Sequence, residues 1–246
     1  MSPWYIGLIG LATGVIGTGL GGFITAYSGK PSNKLLGGYL GFAGGIMLAL
    51  AFVELMPEAI EEGNMFLAIV GFIVGVLLLT VMDRSFPHMH HGGTEEGDGK
   101  LMKMGYLVAF GVAIHNFPEG VALGAGWVSS SSLGLGLAII LALHNIPEGI
   151  AMAAPLAAGG LPMKRVVIMT LLAGLPVGIG AIIGALIGDA SPIFLSLSLG
   201  FAAGAMMYIS FDELLPEAHE HSEGGHHGIY GGVLGVLIGY ILIALI

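Results

Sequence analysis

Residues 41–59 read GFAGGIMLALAFVELMPEA, residues 200–218 read GFAAGAMMYISFDELLPEA, and the two align without a gap. Met47 pairs with Met206, Glu54 with Glu213, Pro57 with Pro216 and Glu58 with Glu217. How the two copies lie depends on what surrounds them. Of the 246 residues 55 % are hydrophobic and 9 % charged, and the apolar runs reach the ~20 helical residues that cross a bilayer. Polar punctuation separates them: Lys30-Pro31-Ser32-Asn33-Lys34, Glu61-Glu62-Gly63-Asn64, Ser129 to Ser132, and Asp189-Ala190-Ser191-Pro192. The reading is an all-α membrane protein, one transmembrane domain over 1–246. Its eight spans are 4–27, 34–57, 63–83, 103–127, 133–156, 165–187, 193–216 and 227–246. Only 84–102, which carries histidines, makes a sizeable loop.

The copies fall on spans two and seven, an odd number apart, so they cross the membrane in opposite directions. That predicts an inverted repeat in a 3+2+3 arrangement, with spans 1–3 related to spans 6–8 and span 4 to span 5, an architecture many secondary transporters use. All seven basic residues lie in or beside the loops after spans one, three and five: Lys30, Lys34, Arg84, Lys100, Lys103, Lys164 and Arg165. The positive-inside rule makes those loops cytoplasmic and puts both termini outside a multi-pass protein of the cell membrane. No basic residue precedes span one and no small-residue cleavage pattern follows it, so it is expected to remain in the mature protein. Cysteine is absent, which excludes disulfides and thiolate metal sites. The net charge of −9 with no basic stripe excludes nucleic acid and suits a cationic partner.

The chemistry sits on the central pair, where one phrase occurs twice: His115-Asn116-Phe117-Pro118-Glu119-Gly120 and His144-Asn145-Ile146-Pro147-Glu148-Gly149. Ionisable groups at membrane depth cost several kcal/mol, so their doubling marks ion ligands. Each His and Glu, four residues apart, share a helix face, with the Asn about 100° round. Pro118 and Pro147 cannot donate to the carbonyls of Ile114 and Leu143, which frees backbone oxygen inside the membrane. Gly120 and Gly149 permit close helix contact. A nitrogen and oxygen donor set suits Zn²⁺, and also Fe²⁺, Mn²⁺, Co²⁺ or Cd²⁺. Glu119 and Glu148, related by the pseudo-twofold, could each bridge two metals, so the pattern permits a binuclear site without requiring one. The competing structural reading makes each His and Glu a hydrogen-bonded tie between spans four and five.

The doubled HNxPEG phrase on the fourth and fifth of eight spans, with a histidine-bearing loop after the third, resembles the ZIP (Zrt/Irt-like protein) family of divalent metal transporters, above all its bacterial GufA-type branch. The resemblance covers essentially the whole chain. It implies import of Zn²⁺ or a similar cation through a site on spans four and five, with His115, Asn116, Glu119, His144, Asn145 and Glu148 as ligands. The GxM phrase ending at Met47 is similar to the family's span-two segment and adds Met47. Relatives carry a span-six glutamate in a phrase like SGLxEP; here the stretch reads Ala173-Gly174-Leu175-Pro176-Val177-Gly178, with no acidic residue before Asp189. The resemblance also implies an elevator-like movement of spans one, four, five and six against the others.

Glu54, Glu58, Glu61 and Glu62 with Asp189 are read as an entrance that concentrates cations. On the cytoplasmic side His88, His90 and His91 with Glu95, Glu96 and Asp98 form one cluster. Asp212, Glu213, Glu217, His219, Glu220, His221, Glu223, His226 and His227 form another; short His-rich tracts bind transition metals weakly. A membrane-embedded metalloenzyme is the first alternative function, but no HExxH is present and the order is His-x-x-x-Glu rather than Glu-x-x-His. A metal sensor is the second. The sequence leaves oligomeric state open, a homodimer included.

Overall fold

The computed structural model describes residues 1–85, 98–187 and 191–244. Its elements, all helices, form eight rods: α1 Pro3–Ser28, α2 Asn33–Glu62, α3 Met65–Ser85, α4 Asp98–Ser129, α5 Ser131–Ala158, α6 Met163–Ile187, α7 Pro192–Glu220 and α8 His227–Ile243. Seven are long and apolar enough to cross a membrane, and α8 is a shorter apolar helix of 17 residues. The turn residues act as caps. Ser2, Ser32 and Ser191 accept hydrogen bonds from the backbone of Tyr5, Leu35 and Phe194 at the starts of α1, α2 and α7, and Asn64 does the same for Leu67 at the start of α3.

Three helices are irregular. α2 carries a π turn at Leu50–Leu55 and α7 one at Ile209–Leu214, each ending two residues before the repeated proline. A proline cannot donate to the carbonyl four residues back, and the wider π turn lets the helix continue past it, to Glu62 and Glu220. α6 breaks at Gly174, between Met163–Ala173 and Leu175–Ile187; Pro176, two residues on, has no N–H to offer there.

Helices α1, α4, α5 and α6 pack on one another, as do α2, α3, α7 and α8, with α4 on α7 and α5 on α2 joining the two sets. Glycine sets the close approaches. A Cβ on Gly149 of α5 would fall on the carbonyl of Thr18 in α1, one on Gly120 of α4 on that of Val177 in α6, and Gly14 and Gly174 face each other at the break in α6. These seams lack the side-chain layer that keeps ordinary helix axes 8–10 Å apart. Seven glycines of α1 face neighbouring helices closely, Gly17 and Gly21 against α5, and Gly7, Gly10, Gly14, Gly19 and Gly22 against α6. The main apolar core lies where α2, α4, α5 and α7 meet and includes Met47, Met206, Val108, Val112 and Met152. Large apolar side chains such as Trp4, Phe66, Ile73 and Leu237 are exposed around the outside. His115, Asn116 and Glu119 of α4 and His144, Asn145 and Glu148 of α5 are enclosed, the reverse of a water-soluble fold and the arrangement a lipid solvent requires.

Candidate metal centre

His115, Asn116 and Glu119 of α4 and His144, Asn145 and Glu148 of α5 are all buried, none more than 2 % exposed. Their spacing along each helix puts His and Glu on one face, and the packing of α4 on α5 brings the two faces together. The pairs form across the seam. His115 Nε2 lies 2.9 Å from Glu148 Oε1, and His144 Nε2 lies 3.4 Å from Glu119 Oε2. His115, Glu119 and Glu148 also each offer a donor atom within 4.8 Å of the others. One imidazole nitrogen and two carboxylate oxygens at that spacing match what a borderline divalent cation binds.

These cross-helix pairs are the ties that the structural reading requires, yet they consume less than half of the polar surface present. Of the twelve side-chain nitrogen and oxygen atoms on the six residues, seven are buried without a hydrogen-bond partner among the described residues: His115 Nδ1, Asn116 Oδ1, Glu119 Oε1, His144 Nδ1, both amide atoms of Asn145, and Glu148 Oε2. Each such group costs roughly 1–3 kcal/mol, more when charged, and natural interiors hold only a few. A purely structural pair would not leave both of its members half used. A cation held by the free imidazole nitrogens and the free carboxylate and amide oxygens accounts for all of them but the Asn145 Nδ2 donor.

Asn116 has a second task that the sequence did not reveal. Its Nδ2 donates to the carbonyl of Ala173 at 2.9 Å, the last residue before the break in α6. The side chain therefore caps a carbonyl at the break, where the N–H of Val177, four residues on, bonds to the Gly174 carbonyl, and only Oδ1 stays free for an ion. Asn116→Ala is expected to lower the melting temperature of metal-free protein, because a buried carbonyl is orphaned at a cost of about 1–3 kcal/mol. A melting temperature unchanged from wild type in a detergent thermal-shift assay would refute that role.

Two cavities lead from the centre toward the C-terminal end of α2. The inner one, about 20 Å³, is lined by Glu54, Glu58, Glu119 and His144 together with apolar side chains. The outer one, about 210 Å³, shares Glu58 and adds Glu62, Ser129 and Ser191. Glu54, Glu58 and Glu62 are spaced four apart on α2, so they form one acidic row, while Glu61 is exposed. At the opposite end the carboxylates are paired. Lys100 bridges Glu217 and Glu220, Lys103 holds Asp83 at 2.7 Å, and His221 Nδ1 lies 3.0 Å from the carbonyl of Glu217. Glu213 is half-buried, His219 is exposed, and neither they nor Glu217 and His221 reach the centre. Met47 is fully enclosed in the main core. His88, His90, His91 and Asp189 lie outside the described residues.

A family model described as the ZIP zinc transporter matches residues 87–246. The chain is 38 % identical over 244 residues to a zinc transporter ZupT of Corynebacterium glutamicum, covering 91 % of this chain and 92 % of that protein. It is 36 % identical to the zinc transporter ZupT of Streptococcus mutans, covering 94 % and 92 %, and 35 % identical to that of Akkermansia muciniphila, covering 97 % and 93 %.

Proposed function

The chain belongs to the ZIP zinc transporter family, and from that premise we propose that it carries Zn²⁺ across the membrane through the His115, Asn116, Glu119, His144, Asn145 and Glu148 centre. The protein is a transporter of divalent metal and not an enzyme, as its family is. The observation that carries the site is the set of seven buried, unpartnered polar atoms between α4 and α5. Three or fewer strong donors per ion leave coordination positions open, which suits an ion that must leave again. Glu62, Glu58 and Glu54 form the entrance, and the ion travels toward the cytoplasm past Glu213, Glu217, His219 and His221. His88, His90 and His91 add weak cytosolic binding.

Transport by alternating access uses an inverted repeat of spans 1–3 and 6–8 about the central pair, with both termini outside. Three features support it. The π turns at Leu50–Leu55 and Ile209–Leu214 stand in the same register as the sequence repeat. The glycine-lined contact of α2 on α8 has its counterpart in that of α7 on α3, where Gly41 meets Gly228 and Gly200 meets Ala68. The division of helices into two packed sets supplies bodies that move against one another, α1, α4, α5 and α6 carrying the metal.

Liposomes containing this protein alone and a zinc-sensitive dye test the reading. Saturable zinc influx is expected, with Cd²⁺, Fe²⁺ and Mn²⁺ ranked as competitors. Vesicles that stay dark while the protein binds zinc would instead favour a sensor or an enzyme, since neither moves ions across a sealed membrane.

A further inference from the structure

Lys100 and Lys103 tie one packed set of helices to the other at a single end of the bundle. Lys100 of α4 holds Glu217 and Glu220 of α7, and Lys103 of α4 lies 2.7 Å from Asp83 of α3. α4 packs with α1, α5 and α6, whereas α3 and α7 belong with α2 and α8. Resting on the reading of these sets as bodies that move against one another, we propose that Lys100 and Lys103 are positioning residues for transport. They latch the end of the ion path at Glu217 shut, and the ion leaves there only after the pairs break.

The two ends of the bundle differ in what can draw the sets together. The loops after spans two, four and six carry no basic residue, so the acidic row of Glu54, Glu58 and Glu62 lines its cavities with no lysine or arginine to close across it. At the other end the two lysines stand three residues apart, on one face of α4, and reach two different helices of the opposite set. Glu217 is buried, and its second oxygen lies 3.4 Å from His221 Nδ1. A cation leaving past this carboxylate finds it already neutralised and must displace Lys100. Lysine suits that task, because a compact ammonium on a flexible stem lets go and re-forms more readily than the two-pronged guanidinium of arginine. Pairs as exposed as that of Lys100 with Glu220 contribute little one at a time. Three acting in parallel across one seam bias an equilibrium between two arrangements without freezing it.

The test measures the distance between the two sets by paired spin labels on the full-length protein in detergent. Cysteine is absent from the chain, so two introduced cysteines carry the only labels. Gly38 of α2, where a Cβ meets nothing within 4 Å, and Lys164, exposed at the start of α6, lie on different sets near the end that holds the lysines. The labelled parent is compared with Lys100→Ala, Lys103→Asp and Lys103→Asp/Asp83→Lys in the same background. Lys103→Asp, which sets two acids face to face, is expected to raise the share of a second distance by about tenfold, and Lys100→Ala to raise it by a smaller factor. The exchanged pair should return the distribution to that of the parent, which a misfolded variant would not do. Distributions in both single variants that match the parent, or a shift that the exchange leaves unrecovered, overturn the latch. Zinc influx into liposomes by the same proteins keeps the two failures apart: a latch that fails while the parent carries zinc leaves the transport reading standing, whereas a parent that carries none removes both.

Discussion

Glu119→Ala is expected to reduce zinc influx into proteoliposomes to the level of protein-free vesicles, a loss of about 100-fold or more. Glu119 belongs to the group of three donors, faces His144 through Oε2, and lines the cavity that leads outward. Its removal thus takes a donor from the ion and a partner from a buried histidine at once. Loss of a supporting partner alone costs roughly 10–100-fold in metal affinity or activity, and loss of a donor comes on top of it. Folding should survive, because the helices bury apolar and glycine faces that do not involve this side chain. Glu119→Gln separates charge from shape: it keeps the packing and should transport no better than the alanine variant. Dye-monitored influx at wild-type rate in either protein would remove Glu119 from the pathway.

The sequence made the centre legible because few explanations exist for a charged side chain inside a membrane, and fewer still for the same His-x-x-x-Glu set occurring twice at the same depth. Helix periodicity then places each His and Glu on a common face, and the structure buries all six residues and brings the two His and two Glu together across the seam. The partner choice was not legible. Periodicity relates His115 to Glu119, but the hydrogen bonds run from His115 to Glu148 and from His144 to Glu119, a matter of how two helices rotate against one another. Asn116 illustrates a second gap: its donation to the Ala173 carbonyl depends on the break in α6, which Gly174 and Pro176 hint at only in retrospect. The acidic row on α2 was visible as charge near a span end, while the separation of paired carboxylates at Glu217 and Glu220 from unpaired ones at Glu54 needed the positions of Lys100 and the cavities. Local patterns fix faces; hydrogen-bond accounting across helices fixes roles.

Gly149→Leu is expected to be the most damaging change outside the ligands themselves. A Cβ at this position falls on the carbonyl oxygen of Thr18 and sits 3.0 Å from the Cα of Gly21. These are backbone atoms of α1, which cannot rotate aside as a side chain can, so the two helices must part. Overpacking costs 1–3 kcal/mol in ordinary cores, and a backbone obstacle belongs at the top of that range, about 3 kcal/mol; at roughly 2–4 °C per kcal/mol for a chain of this size, the melting temperature should fall by about 6–12 °C. The neighbouring residue makes the effect functional. Glu148 precedes Gly149 and holds His115 at 2.9 Å, so a displaced α5 moves a metal donor, and zinc influx should drop together with stability. Gly136 on the same helix is the control, since a Cβ there meets nothing within 4 Å: Gly136→Leu should melt and transport like wild type. Equal behaviour of the two variants in a detergent melt would mean that the α1 and α5 seam tolerates bulk, and that glycine at 149 serves neither packing nor the position of Glu148.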